Sequence, residues 1–529
     1  MAVTTTTVAW EHPLPQSLPE GMSWLWKRVL FPGESPKEGQ VSLWTVLFLI
    51  FVPGWLLYGN LSFHLLEPDE SRYAEIPREM LDRDDWVVPH LQGQPYLDKP
   101  PLMYWLVMLS YRMFGVDAWS ARLVPALALH ATILLTYLLG RRHLGGRGAT
   151  WGAIFLSVAP GFIEMGRLLI LDGLLTMWTT TATLTAFEAI RHGRLRRSWW
   201  RISWIAAGLG VLTKGPVVLI LVLVPTWFYD RILHRARSTT WGCYVEYLVG
   251  SVMISLPWYA AIGLREPIFL KYFLWEHNIV RFVAPFDHIR PVWFYLPIVW
   301  AGLLPASWFV LALVWSFFRH PIDGTVNRPA EMGFYLFAGC WVVVFFSLSG
   351  SKLPTYVLPS FPLLAMAFGW FVSQSKPWLR HLAAGLVVTT ILLLLYFNHS
   401  FLPWYARMRS PMGQTEKVVS YCADPKQPVL CFPRSCDSVA FYLKRDDLRN
   451  IRSKNFPDLV EALRRHPRTV LLCTHRHSFE SIRNALPADL RIVEHVSYRR
   501  ELDREAWYDK LTTETPWGLC DLLVIEKVR

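Results

Sequence analysis

Charge is what this 529-residue sequence has least of: Asp, Glu, Lys and Arg together make 18% of it, where a soluble globular chain carries about a quarter. That shortage excludes an ordinary cytosolic globular protein, and a hydrophobic fraction of 53% excludes disordered and collagen-like sequence. Cysteine is sparse as well. There are seven, five of them after residue 405, and their spacings match no metal-binding motif. No small-residue cleavage site accompanies the first apolar run, so it reads as a retained span and not as a signal peptide. No internal repeat of the kind that builds transporters is visible.

What is present is apolar sequence gathered into blocks of roughly 20 residues, the length that crosses a hydrocarbon core. The first runs from Val41 to Leu61, after Lys27, Arg28 and Lys37. Others lie at 118–139, 149–166, 171–190, 202–213, 215–233, 241–263, 292–318, 332–350, 353–373 and 380–400, which makes eleven. The expected fold is therefore an all-α multi-span membrane protein with 11–13 transmembrane helices. The segment 100–115 is short for a span and contains Arg112, so it is expected to be re-entrant, to lie on the surface or to pair with a further span.

The net charge of +12 reports orientation before it reports partners. Five basic clusters punctuate the blocks: Arg141, Arg142 and Arg147; Arg191, Arg194, Arg196, Arg197 and Arg201; Arg231, His234, Arg235 and Arg237; Arg319 and Arg328; Lys376 and Arg380. With the N-terminus inside, eleven spans put all five inside, as the positive-inside rule requires. The first large loop, 62–117, and everything after about residue 401 then fall outside. The expected organisation is a transmembrane domain over 1–404 and a small α/β domain over 405–529 on the outer, periplasmic side.

In that tail the apolar runs shorten to strand length: Val429–Phe432, Thr469–Cys473, Leu490–Val493 and Leu522–Glu526. Helix-like stretches, Asp458–Arg465 and Ser478–Ala485, lie between them. An outer location permits disulfides, but five cysteines define no pairing. The tail holds 22 Lys and Arg against 17 Asp and Glu, a surplus suited to an anionic envelope lipid and equally common in a solvated domain.

The unusual residues collect in the outer loops. Asp69, Glu70 and Arg72 sit where the first span becomes loop, followed by Tyr73; charge at such a depth points to a wet cavity or a partner. Tyr96, Asp98 and Lys99 precede Pro100-Pro101, which fix an extended approach to the next apolar run. Lys99 is then held near the membrane surface, where an ammonium can grip a lipid phosphate. Asp172 is a lone carboxylate between two apolar blocks, and Lys214 stands in a Lys-Gly-Pro junction. Glu276-His277-Asn278 with Arg281, and Ser351-Lys352-Leu353-Pro354-Thr355-Tyr356, complete the set. Each is weak alone. Together they put three carboxylates, five cations and a histidine on one face. Such a site suits a reaction of an anionic lipid: cations hold a phosphate leaving group and a carboxylate takes a proton from an attacking hydroxyl.

These motifs, in this order over residues 40–375, resemble the bacterial aminoarabinose transferases and related polyprenyl-phosphate-sugar glycosyltransferases of the GT-C superfamily, with the protein O-mannosyltransferases as further relatives. The resemblance implies a GT-C fold in the inner membrane, a periplasmic active site and an undecaprenyl-phosphate-type sugar donor. It implies Asp69 as catalytic base and Asp172 as second acid. Lys99 and Arg72 become donor-phosphate ligands, with Tyr73, Tyr96, Asp98, Lys214, His277, Arg281, Lys352 and Tyr356 around them. In the aminoarabinose transferases the residue before the lysine is typically Glu, which with a loop His can hold a metal. Here it is Asp98, one methylene shorter, and metal-independent, cofactor-free chemistry is expected. The implied acceptor is lipid A or another envelope lipid or glycan, with no nucleic-acid partner. Two rivals use the same features: transfer to a protein acceptor, and transport of the lipid-linked sugar without chemistry.

Overall fold

A computed structural model describes residues 42–233, 237–283, 288–318, 329–451, 455–474, 476–497 and 520–528. The basic residues Lys27, Arg28, Lys37, His234, Arg235, Arg319 and Arg328, counted above for orientation, lie outside the described residues.

Each of the eleven apolar blocks becomes helix. Among the described residues five helices are long and apolar enough to cross a membrane, and a sixth crossing arises if the pair Val292–Gly302 and Ala306–Ser316, bent by 108°, is one broken span. The lower number has identifiable causes. The blocks 118–139 and 149–166 fall in one helix, Ala118–Val158, interrupted at Gly145, whose φ of 75° and ψ of 166° only glycine adopts readily. Leu43–Tyr58 has 16 residues, and Val217–Phe228 is carried to Leu233 by a π-helical turn. The chain is a multi-pass helical membrane protein.

The short segment after Pro100-Pro101 is the 13-residue helix Leu102–Phe114. At 1.5 Å per residue it extends for only about 20 Å, too short to cross. It buries Met103, Tyr104, Val107 and Met108 against the helix Asp69–Asp82 and leaves Arg112, Met113 and Phe114 outward, so it lies against the loop domain. The next helix starts at once, because Asp117 caps it: the Asp117 side chain accepts from Trp119 N at 3.0 Å and Ser120 Oγ accepts from Asp117 N at 3.2 Å.

Two antiparallel helices define the ends of the bundle. Leu171–Ile190 begins with Asp172 and is followed by Arg191; Arg197–Lys214 begins beside Arg196 and ends on Lys214. Each separates its two ends by about 30 Å, one hydrocarbon thickness.

The tail folds as a five-stranded sheet in the order Arg449–Asn450, Val429–Phe432, Arg468–Cys473, Asp521–Lys527, Leu490–Ser497. The first three strands are parallel and the remaining pairings antiparallel. Alternation along Val429–Phe432 sends Val429 and Cys431 into one core and Leu430 and Phe432 into the other. The edge strand Arg449–Asn450 has no apolar signature and escapes sequence reading. The helix Asp437–Leu443 leaves this sheet and packs on the first loop: Phe441 joins Leu65, Tyr73, Met80 and Tyr111 in one core.

Candidate functional site

The adjacent carboxylates of the first loop part company. The helix Asp69–Asp82 starts on Asp69, which stays exposed with Arg72 Nη1 at 3.8 Å from its Oδ1. Glu70, one residue on, turns into the protein and is held by Arg122, whose Nε and Nη2 donate at 2.8 and 2.7 Å. Glu70 also accepts from Leu169 N at 2.8 Å and Leu66 N at 3.1 Å, while Arg122 Nη1 donates to Leu61 O and Phe63 O. This fully paired buried ion pair ties the end of the first span to the loop and leaves Asp69 facing solvent.

A second group forms around the Asp98-Lys99 pair. Asp98 Oδ1 accepts from the Tyr272 hydroxyl at 2.9 Å, and its Oδ2 lies 3.8 Å from His277 Nε2. Lys99 Nζ is 3.5 Å from His277 Nδ1. Tyr272 and His277 belong to a π-helical segment, Lys271–Val280. Burial pulls the Lys99 ammonium down to about 7, with the positive charges of Lys214 and Arg281 adding to it against Asp98 and Asp172. Burial pushes Asp98 up, but His277, Lys99 and the tyrosine hydroxyls outweigh it and hold its carboxyl below the ordinary range. Tyr96 bridges the two groups: its hydroxyl lies between Asp98 and Arg72, and the Arg72 guanidinium sits 5.9 Å from its ring centre. Tyr73 is buried behind them, its ring 6.2 Å from that of Tyr104.

The third group joins helix ends. Lys214 Nζ donates to Asp172 Oδ1 at 2.5 Å, and Thr355 Oγ1 donates to Asp172 Oδ2 at 3.2 Å. The same ammonium lies 4.3 Å from the Tyr356 ring centre. The Lys-Gly-Pro junction now has a reason. Gly215, at φ +99°, closes its helix, and a Cβ there would meet Phe273 Cζ at 2.9 Å, so only glycine lets the 271–280 segment come this near to Lys214. Each oxygen of Asp172 thus accepts one hydrogen bond, from Lys214 and from Thr355.

Lys352 is placed differently from the others. Its ammonium donates to Arg290 O at 3.1 Å and to Ser349 O, so it pins two backbone stretches and is not brought to Lys99. Sequence reading also missed Tyr272, Arg122 and Asp437. The last belongs to the tail and is fully buried with its Oδ2 3.8 Å from Arg72 Nε, its Oδ1 accepting from Gln92 Nε2 at 3.4 Å and its Oδ2 from Ser435 Oγ at 3.0 Å. Nothing in its surroundings in the sequence distinguishes it, because the contact spans some 365 residues. Glu67 accepts from Ser438 N at 2.7 Å across the same junction.

Asp98 and His277 make a poor metal site. They offer two donors; one Asp98 oxygen is taken by Tyr272 and one histidine nitrogen faces an ammonium. Among the described residues no three His, Cys, Asp or Glu converge as ligands. The donor set does not fit a metal.

Residues 41–273 match the family described as dolichyl-phosphate-mannose-protein mannosyltransferase. Undecaprenyl phosphate-alpha-4-amino-4-deoxy-L-arabinose arabinosyl transferase 1 of Pseudomonas fluorescens (strain Pf0-1) is 32% identical over 360 residues, 65% of this chain and 61% of that protein. The enzyme of the same name from Sodalis glossinidius (strain morsitans) is 32% identical over 409 residues, 72% of this chain and 69% of that protein. The chain thus spans about three-fifths of the length of the first of these relatives and over two-thirds of the second. Among solved structures, ArnT from Cupriavidus metallidurans bound to undecaprenyl phosphate superposes with a TM-score of 0.71 over 90% of this chain and 97% of that one, at 20% identity, a likeness of fold.

Proposed function

The chain belongs to the family of undecaprenyl phosphate-alpha-4-amino-4-deoxy-L-arabinose arabinosyl transferases, and from that membership we propose that it is an inner-membrane glycosyltransferase working on a polyprenyl-phosphate-linked sugar at the periplasmic face. One observation carries the reading. Asp98, Lys99, Asp172, Lys214, His277 and Arg281 come from separate segments and meet at one end of the bundle, beside Arg72 and Asp69.

In the proposed reaction the acceptor oxygen attacks the anomeric carbon of the donor. The new C–O bond forms as the bond from that carbon to the phosphate oxygen breaks. The acceptor proton passes to Asp69, the most exposed of the three carboxylates, at 56% against 31% for Asp98 and 8% for Asp172. The departing polyprenyl phosphate keeps the electron pair. Lys99 and Arg72, with Arg281 nearby, stabilise that charge where it develops, which lowers the barrier more than binding the donor alone would. Asp172 keeps Lys214 aimed, and Tyr96 and Tyr356 wall the site. A lipid-borne aminoarabinose and lipid A are the proposed donor and acceptor.

Mass spectrometry of lipid A from cells with and without the gene tests this, since it reports sugar and acceptor together. A mass increment of one aminoarabinose that depends on the gene supports the reading. Unchanged lipid A, with glycan appearing on envelope protein, would favour the protein-acceptor reading that the match to a protein mannosyltransferase family keeps in play.

A further inference from the structure

The basic clusters read from sequence as markers of orientation form something more specific. Arg141, Arg142 and Arg147 follow the first half of the Ala118–Val158 helix, and Arg191 and Arg196 join the helices Leu171–Ile190 and Arg197–Lys214 at the end away from Asp172 and Lys214. The two clusters meet: Arg191 Nη1 donates to Arg142 O at 2.7 Å. Between them opens a cavity of about 1300 Å³.

Its walls divide by chemistry. Among the described residues, Arg141, Arg142, Arg147 and Arg191 line one side with a single carboxylate, Glu331, whose Oε1 lies 3.9 Å from Arg191 Nη1. Behind them Glu188, 2% exposed, accepts from Arg196 Nη1 at 2.7 Å and is paired with His143 Nε2 at 3.0 Å, while Arg191 Nε lies 2.8 Å and Arg142 Nη1 3.8 Å from its oxygens. Among the described residues five arginines therefore face two carboxylates. Glu188 fixes the arginines and cannot neutralise them. The other side is apolar: Leu138 and Ile202 line the cavity and are 50% and 44% exposed on the outer surface of the bundle, and Trp199 stacks under Arg142 with 5.1 Å from guanidinium to ring centre. A guanidinium cluster opening onto an apolar helix face suits an amphiphile with a phosphate head, and basic pockets between transmembrane helices hold such headgroups.

We propose that this cavity is a second lipid site, on the membrane face opposite the candidate active site, and that it takes the phosphate headgroup of an anionic glycerophospholipid with its chains along Leu138 and Ile202. It is separate from the donor site by the length of the Leu171–Ile190 helix and involves none of the residues placed in catalysis. Bound there, the lipid clamps the two halves of the kinked helix at Gly145 to the neighbouring hairpin.

Native mass spectrometry of the full-length delipidated protein, titrated separately with phosphatidylglycerol, phosphatidylcholine and inorganic phosphate, tests it. Phosphatidylglycerol is expected to bind preferentially. Arg141→Gln with Arg147→Gln, both outside the Glu188 network, should weaken it about 25-fold, taking roughly a fivefold contribution from each charge. Arg141→Lys with Arg147→Lys should retain most of the affinity. Equal binding of phosphatidylcholine, or undiminished binding by the glutamine variant, would overturn the site. Inorganic phosphate binding as tightly as the lipid would overturn its assignment to a lipid.

Discussion

Lys99 offers the sharpest test of how the site holds its donor. Its ammonium is pulled down to about 7 by burial and by Lys214 and Arg281, and Asp98, Asp172 and His277 are the other charged or titratable groups beside it. A sugar phosphodiester carries one negative charge throughout the neutral range, so the pH dependence of its binding reports the protein. The sign follows from the lowered value. Below pH 7 Lys99 is already protonated and binds at no extra cost; above it a proton must be taken up on binding, and affinity falls by up to about tenfold per pH unit until the raised value of the bound state is reached. Two ions 4 Å apart at an effective dielectric of 20 attract by about 4 kcal/mol, of which a charge-assisted hydrogen bond typically retains ~1.5–3 kcal/mol. Lys99→Met should therefore weaken donor binding by roughly 10- to 100-fold at pH 6, and by far less at pH 8.5, where the wild-type lysine is itself mostly neutral. Lys99→Arg, charged at every accessible pH, should bind with a flat profile. Titration of a phosphodiester donor analogue by tryptophan fluorescence between pH 6 and 8.5 measures all three. If the wild-type slope persists in Lys99→Met, the titrating group is another, and the role given to Lys99 is refuted.

Further outcomes follow from the same geometry. Asp172→Asn and Lys214→Met should each lower transfer strongly, yet the double variant should be little worse than either, with a coupling of about 1–3 kcal/mol, in a double-mutant cycle on kcat/KM; additive losses would contradict the pairing. Glu70→Gln leaves the buried Arg122 guanidinium without its counter-charge and should cost about 3–5 kcal/mol, read as a fall in Tm in detergent, whereas an exposed substitution such as Asp84→Asn should leave Tm within a degree or two. Asp437→Asn removes the charge that orients Arg72 from the tail. It is expected to lower kcat several-fold, because Arg72 acts on the charge that develops as the phosphate departs, and a raised KM with unchanged kcat would show that Arg72 only binds the donor.

The transmembrane part was legible because its information is local. An apolar block of about 20 residues identifies itself, and Pro at Pro101, Pro216 and Pro377 marks helix starts within the same few residues. What the blocks could not reveal is where a helix bends without ending, as at Gly145, or where two short pieces share a span, as on either side of 303–305. In the site, residue type and position picked out Asp98, Lys99, His277, Asp172 and Lys214, which the fold gathers. They could not separate Asp69 from Glu70, because the difference is made by Arg122, 52 residues away. Lys352 shared the motif of Thr355 and Tyr356 but points to backbone carbonyls. Asp437 was invisible for the opposite reason: its partner, Arg72, lies in the first loop, and no local pattern records a contact of that sequence distance.

In the proposed reaction Asp69 takes the acceptor's proton at a site built for a departing lipid phosphate. The most direct measurement is transfer of sugar from a polyprenyl phosphate donor by purified Asp69→Asn protein, followed by chromatography of the products, with Tm and donor-analogue binding recorded on the same preparation. The expected outcome is a folded protein that binds donor within about threefold of wild type and yields no glycosylated acceptor. Transfer by the Asp69→Asn variant at the wild-type rate would contradict it.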